Sequence, residues 1–194
     1  MGSFEGVDVA AVSTGIGGPS TAIAVEELAR AGVTTMVRVG SAGGLDPDLG
    51  PGDLVIPSGV VREDGTSATY VDPRYPAVPH PDVFRALVEA AARLGLRVRT
   101  GITRSHDSFY TDHEETVTAA WHRLGVLASD METATLFVVG GLRGRKCGSV
   151  LNVVVPYGGA LDEGIRSLGD AEQRAYRGEA DEIRLALHAL VCLA

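Results

Sequence analysis

Met36 to Val61 reads "MVRVGSAGGLDPDLGPGDLVIPSGVV". Two apolar runs of strand length flank a linker crowded with glycine, proline and aspartate, the residues that end regular structure and turn the chain. The pattern predicts a strand ending at Val39, a small-residue turn over Gly40–Gly44, and a second strand opening near Asp53. A single arginine, Arg38, sits inside the first run. A charge in a buried strand is costly unless something of opposite charge meets it, so Arg38 requires an anion: a carboxylate of the chain itself or a ligand.

The same alternation continues on either side. "VDVAAVSTG" is a strand candidate near the N-terminus, and "PSTAIAVEELARAG" follows as a helix with Pro19 near its start and Gly32 beyond its end. Downstream, "PDVFRALVEAAARLG" has the spacing of an amphipathic helix closed by glycine, and "RVRTGITRSHDSF" is extended. "METATLFVVGGL" reads as helix or buried strand by pattern, and the strand candidate "KCGSVLNVVVP" after it favours helix. Asp170–Leu193 is helical, with an apolar set at Ile183, Leu187, Leu190 and Val191. Thr66–Pro81 carries four prolines and predicts an extended surface loop. The sum is one α/β domain over 1–194, a three-layer α/β/α arrangement with a central mixed sheet.

Composition narrows the function. With 45% hydrophobic and 22% charged residues the chain suits a folded core. A net charge of −8 argues against a nucleic-acid polymer or an anionic membrane as partner, both of which need clustered Lys and Arg. A small-molecule ligand fits better. Cys147 and Cys192 form no metal or disulfide spacing, and both lie in apolar segments, so two buried free thiols and a reducing cytoplasm are expected. No run reaches membrane-spanning length and no secretion signal is visible.

Polar residues in apolar surroundings are the candidate site. Arg38 with the Gly40–Gly44 turn would make an anion cradle from a guanidinium, the Ser41 hydroxyl and backbone N–H groups. In "SDMETATL", Asp130 and Glu132 flank Met131 where a strand feeds a helix; these carboxylates either serve a ligand or cap the helix and favour its dipole. "SHDSFYTDHEE" puts Phe109 and Tyr110 beyond a strand, followed by a polar group including His113. Adjacent positions on one loop are poor metal spacing, so no metal site is expected.

Taken together, "VSTGIGGPSTAIAVEELARAGV", "VRVGSAGG", "GDLVI", "DSFY" and "LASDMETATLFVVGGLRG" followed by "GSVLNVVV" resemble the nucleoside phosphorylase family, in order and spacing, over nearly the whole chain. The likeness is greatest to bacterial uridine phosphorylases. It implies attack of inorganic phosphate on the anomeric carbon of a nucleoside, with phosphate as co-substrate and no cofactor. By that resemblance Arg38 and Ser41 hold phosphate; Ser41, Met131 and Glu132 hold ribose; Gly43, Phe109, His113 and Asp130 lie at the base; and the chain forms a homo-oligomer, a dimer or hexamer.

Departures from the family bear on specificity. Nucleosidases of the family typically lack the arginine two residues before the glycine, so Arg38 favours phosphorolysis. Purine-specific members carry an aspartate just after the strand "GSVLNVVV"; here Val155, Pro156 and Tyr157 follow, and Asp162 comes too late. Pyrimidine-specific members read uracil with a glutamine and an arginine beyond the "DSFY" aromatic, whereas this chain has Thr111, Asp112, His113, Glu114 and Glu115. The family's N-terminal segment, with further phosphate-binding arginines, has no counterpart, which predicts an exposed central strand at "VDVAAVSTG" and a weakened phosphate site. A catalytically impaired binding subunit, a purine phosphorylase and a nucleosidase are the alternatives.

Overall fold

Five strands return on themselves in the computed structural model of the chain, which describes residues 1–159 and 170–194. The closing strands are β3 (Thr35–Gly44), β4 (Leu54–Glu63), β5 (Val98–His106), β6 (Ala128–Asp130) and β7 (Lys146–Val155), in the order β3-β6-β5-β4-β7. β3 with β7, β4 with β5 and β5 with β6 are parallel; β3 with β6 and β4 with β7 are antiparallel. The expected mixed sheet is therefore present, and it closes into a barrel because short antiparallel contacts join the β3–β7 pair to both edges of the β4–β5–β6 set.

Helices cover it on two sides. Helix α1 (Gly18–Arg30), the short α2 (Gly65–Tyr70) and α5 (Thr133–Leu142) lie on one side, and α3 (Pro81–Leu94) packs with the final helix α6 (Asp170–Val191) on the other. Helix α4 (Glu114–Arg123) has no buried residue. Strand alternation explains three apolar clusters. Val55, Leu151 and Val153 meet Ala42, Leu49 and Leu127 within the barrel. Their neighbours Leu54, Ile56 and Val150 meet Val83, Leu87 and Leu185 of α3 and α6, and Val25, Phe137 and Val138 fill the α1–α5 side with Met36. β7 is buried along most of its length, and a strand buried on both faces reads as a largely apolar run.

Several expectations are corrected. The Gly40–Gly44 stretch is no turn: β3 runs through it, paired to β7, with a register shift between Ala42 and Gly43. The N-terminal strand candidate is strand only at β2 (Val7–Val9), which pairs with β1 (Gly2–Phe4) in a hairpin of its own. Residues 10–15 are not strand, so no exposed central strand forms there. Thr66–Pro81 is not all loop, because Asp64 caps α2 by accepting from the Ser67 N–H at 2.7 Å. On α6 the buried positions among the described residues are Gly178, Glu182, Leu185, Ala186 and Ala189, while Ile183 is exposed.

The cysteines, finally, differ. Cys147 is buried and its thiol is pushed up to about 12 by burial, whereas Cys192 is exposed beside the Arg93 guanidinium. The thiolate is the nucleophile, so alkylation of the native chain at pH 8 should label one thiol, at Cys192. Labelling of Cys147 should require denaturant, and equal labelling of both in the native chain would contradict the packing around Cys147.

Candidate active site

The ends of β5 and β6 carry the polar centre. These strands are parallel, with Ser105 opposite Asp130, and in such sheets the carboxyl ends of the strands are where ligands are held. The Ser105 hydroxyl donates to Asp130 Oδ1 at 2.5 Å and also accepts from the Ala134 N–H at 3.0 Å. Asp130 Oδ2 accepts from the Thr133 N–H at 3.0 Å and from the Thr133 hydroxyl. Both oxygens of Asp130 are thus engaged in fastening the start of α5 to the sheet. The capping role weighed for this residue is the one it fills.

Glu132, two residues on, is free of that duty. Its side chain makes no cap to α5 and turns towards α1 and β3. Oε1 accepts from the Gly17 N–H at 2.6 Å, just before α1, where the helix N-terminus favours a negative charge. Oε2 accepts from Arg38 Nη2 at 2.5 Å and from the Met131 N–H at 3.2 Å. Only 6% of Glu132 is exposed, so the carboxylate is held by charge-assisted bonds in a largely dry place.

Arg38 therefore meets an internal carboxylate, that of Glu132. Its Nη1 lies 3.4 Å from Asp130 Oδ2, an ion-pair distance without hydrogen-bond alignment, and has no hydrogen-bond partner among the described residues. The guanidinium lies along β3 over Gly40: a Cβ at that position would stand 2.6 Å from Nη1. Gly40 is thus required for room. A buried donor on a cation without a hydrogen-bond partner is costly.

Ser41 does not join this group. Alternation along β3 sets Arg38, Gly40 and Ala42 on one face and Val39 and Ser41 on the other. Ser41 is exposed and in register with Asn152, so the cradle expected from one tight turn is not formed. Gly43 lies at the bulge opposite Ser129.

The aromatic loop leaves the sheet from the end of β5, next to the strand position paired with Asp130. Phe109 is 42% exposed, and its ring meets Tyr110 edge-on at 4.9 Å. His113 is exposed at the start of α4, and Tyr110, Thr111, Asp112 and His113 line an open cavity of about 520 Å³. His106 at the root of this loop has its pKa lowered by burial and by Arg104, so it is held neutral at physiological pH. Tyr157, beyond β7, packs on His122 at 5.1 Å. Asp162 lies outside the described residues.

Sequence reading missed Gly17 and Ser105 as partners of the two carboxylates. No local signal marks a backbone N–H or a hydroxyl as the partner of a residue 25 or 115 positions away. Among the described residues no three His, Cys, Asp or Glu side chains gather as a metal-ligand set, and no helix is long and apolar enough to cross a membrane.

Comparison with known proteins bears on what this arrangement does. The profile of the phosphorylase superfamily matches residues 1–190. The chain is 37% identical over 191 residues to a guanosine phosphorylase of Halorubrum lacusprofundi, covering 98% of this chain and 79% of that protein. It is 42% identical over 164 residues to a uridine phosphorylase of Thermococcus kodakarensis, spanning 78% of this chain and 59% of that protein. A crystal structure of uridine phosphorylase from Vibrio fischeri superposes with a TM-score of 0.90 at 37% identity, over 98% of this chain and 76% of that one.

Proposed function

The chain belongs to the phosphorylase superfamily, and we propose from this that it transfers the pentosyl group of a nucleoside to inorganic phosphate, with uridine-like pyrimidine nucleosides as substrates. The observation that carries the reading is the Arg38–Glu132 pair, with an Nη1 beside it that has no hydrogen-bond partner among the described residues. Across this pair the two charges neutralise each other. Phosphate takes over Arg38, and the vicinal ribose hydroxyls donate to Glu132, so each substrate replaces what it displaces.

The chemistry follows from these charges. The C1′–N bond breaks and its electron pair leaves with the base, while a phosphate oxygen forms the new bond to C1′. The sugar carries positive charge between the two events. Glu132 stabilises that charge, and Arg38 holds the nucleophile in line and matches its charge. Met131 packs on the ribose. Phe109 covers the sugar or base with an aromatic face, and His113 and Gly43 border the base. Asp130 acts as a positioning residue for Glu132 and Arg38, since its oxygens are already engaged. Phosphate rests on Arg38 in this proposal, and Ser41 contributes only where the bulge in β3 brings its hydroxyl round. Assembly as a dimer or hexamer and a cytoplasmic setting belong to the same reading.

Purine nucleosides are the second reading, favoured by the guanosine phosphorylase match over 98% of the chain. One assay separates these cases. Base release from uridine and guanosine, with and without inorganic phosphate, should need phosphate, yield ribose 1-phosphate and be faster with uridine. Equal release without phosphate, with free ribose as product, would mean hydrolysis; binding without turnover would mean a ligand-binding subunit.

A further inference from the structure

The aromatic loop that leaves β5 is tied down at one point. Phe109 and Tyr110 belong to none of the three apolar clusters and meet each other instead. Among the described residues the side chains of 107–113 make one hydrogen bond to another element: Asp107 Oδ2 accepts from the N–H of Gly65, the first residue of α2, at 2.7 Å. The approach is so close that a Cβ on Gly65 would stand 3.2 Å from that oxygen, tighter than ordinary van der Waals contact.

Helix α2, in turn, is fixed against the part of the fold that carries Glu132. Asp64, its N-cap, is buried; Oδ2 accepts from the Ser67 N–H at 2.7 Å and from the Thr135 hydroxyl at 2.8 Å, and Oδ1 accepts from the Ser67 hydroxyl at 2.8 Å. Thr135 stands on α5, whose N-cap position is Glu132. On its other side α2 abuts the start of α1, where a Cβ on Gly18 would stand 2.6 Å from Thr66 Oγ1 and 2.9 Å from Thr135 Oγ1. Gly18 follows Gly17, whose N–H is held by Glu132 Oε1. A side chain bonded to α2 is therefore bonded to the frame that carries Glu132.

We infer that Asp107 is a positioning residue for the nucleoside: its bond to Gly65 holds the Phe109 ring at a set distance from Glu132, so the base end and the ribose end of the site keep one spacing. The inference rests on the reading of Phe109 as the aromatic cover of sugar or base and of Glu132 as the ribose ligand. Phe109 lies two residues beyond the bond, about 7 Å of extended chain at most, so fixing Asp107 fixes the ring closely. Without the bond the loop must be ordered by the nucleoside itself, which lowers affinity. Phosphate, assigned to Arg38 on β3, makes no use of this loop, so the effect is confined to one of the two substrates.

The test is calorimetric titration of the chain with uridine, and separately with inorganic phosphate, on the wild type, Asp107→Ala, Asp107→Asn, Phe109→Ala and the Asp107→Ala/Phe109→Ala double variant. Asp107→Ala should weaken uridine binding roughly three- to tenfold, the scale of one hydrogen bond, with phosphate affinity unchanged. Asp107→Asn keeps an oxygen that accepts the Gly65 N–H and should recover most of the loss. In the Phe109→Ala background the Asp107→Ala change should add nothing, because it acts through that ring. Uridine affinity that Asp107→Ala leaves unchanged while Phe109→Ala lowers it overturns the inference and leaves Phe109 at the nucleoside. Losses that add in the double variant, or a loss that phosphate shares, do the same. Phe109→Ala with wild-type uridine affinity, or a wild type that binds no uridine, overturns the inference together with the reading of the site. Should Asp107→Ala not fold, Gly65→Ala crowds the same oxygen from the α2 side and should weaken uridine binding with the same selectivity; uridine affinity at the wild-type level in that variant overturns the inference.

Discussion

An Arg38→Met chain should lose phosphorolysis by on the order of 10² to 10³-fold, the scale on which preorganised charge at a reacting centre acts. Methionine keeps much of the aliphatic bulk along β3 and removes the guanidinium that meets Glu132 at 2.5 Å. The loss should fall mainly on the KM for phosphate, since the anion then lacks its only cation among the residues assigned to it. Glu132 retains the Gly17 and Met131 N–H groups, so the fold survives. The unpaired carboxylate should cost about 1–3 kcal/mol of stability, less than for a fully buried pair because the guanidinium is partly open to solvent. Unchanged phosphate dependence in a folded Arg38→Met chain would remove the phosphate assignment and leave the Arg38–Glu132 pair as a purely structural one.

Glu132→Gln should lower turnover roughly tenfold or more, with the larger part in kcat. The amide keeps the shape and can still accept from Gly17, but it carries no charge to balance a cationic sugar, and an interaction that strengthens in the transition state shows in kcat rather than in KM. Arg38 loses its 2.5 Å partner in this variant and becomes freer for phosphate, so phosphate affinity should hold or improve while turnover falls. That opposite movement separates a ribose role from a structural one. A variant that melts early yet turns over as the wild type does would assign Glu132 to the fold alone.

Both variants act at a junction whose parts differ in how far they could be read from the chain. Wherever periodicity is strong and the ends are punctuated, the sequence sufficed. Helix α3 has Pro81 at its start, Gly95 in the left-handed conformation at its end and apolar spacing between, all local properties. The same holds for α1, for the strand nature of β4, β5 and β7, and for Arg38 as a charge in need of an anion. The order of several motifs in one register was enough to point to the family.

Tertiary structure decided the rest. "GSAGG" has the composition of a turn, yet β7 alongside it supplies hydrogen-bond partners from Thr35 to Gly43, and a ladder of that length overrides the local preference of glycine. Asp130 and Glu132, two residues apart, have equal claims as ligands by sequence. The fold separates them, because Ser105 and Thr133 close on Asp130 while Glu132 is turned to Gly17 and Arg38. Glu182 carried one local sign, an acid at i with apolar residues at i+3, i+4 and i+7. That spacing says the side chain faces inward; only the close approach of α6 at Gly178 to Asn152 and Gly52 says which part of the sheet the helix meets. Periodicity is a property of a few consecutive residues and survives in the sequence, whereas the partner of a buried charge is set by contacts across the chain, which local pattern does not encode.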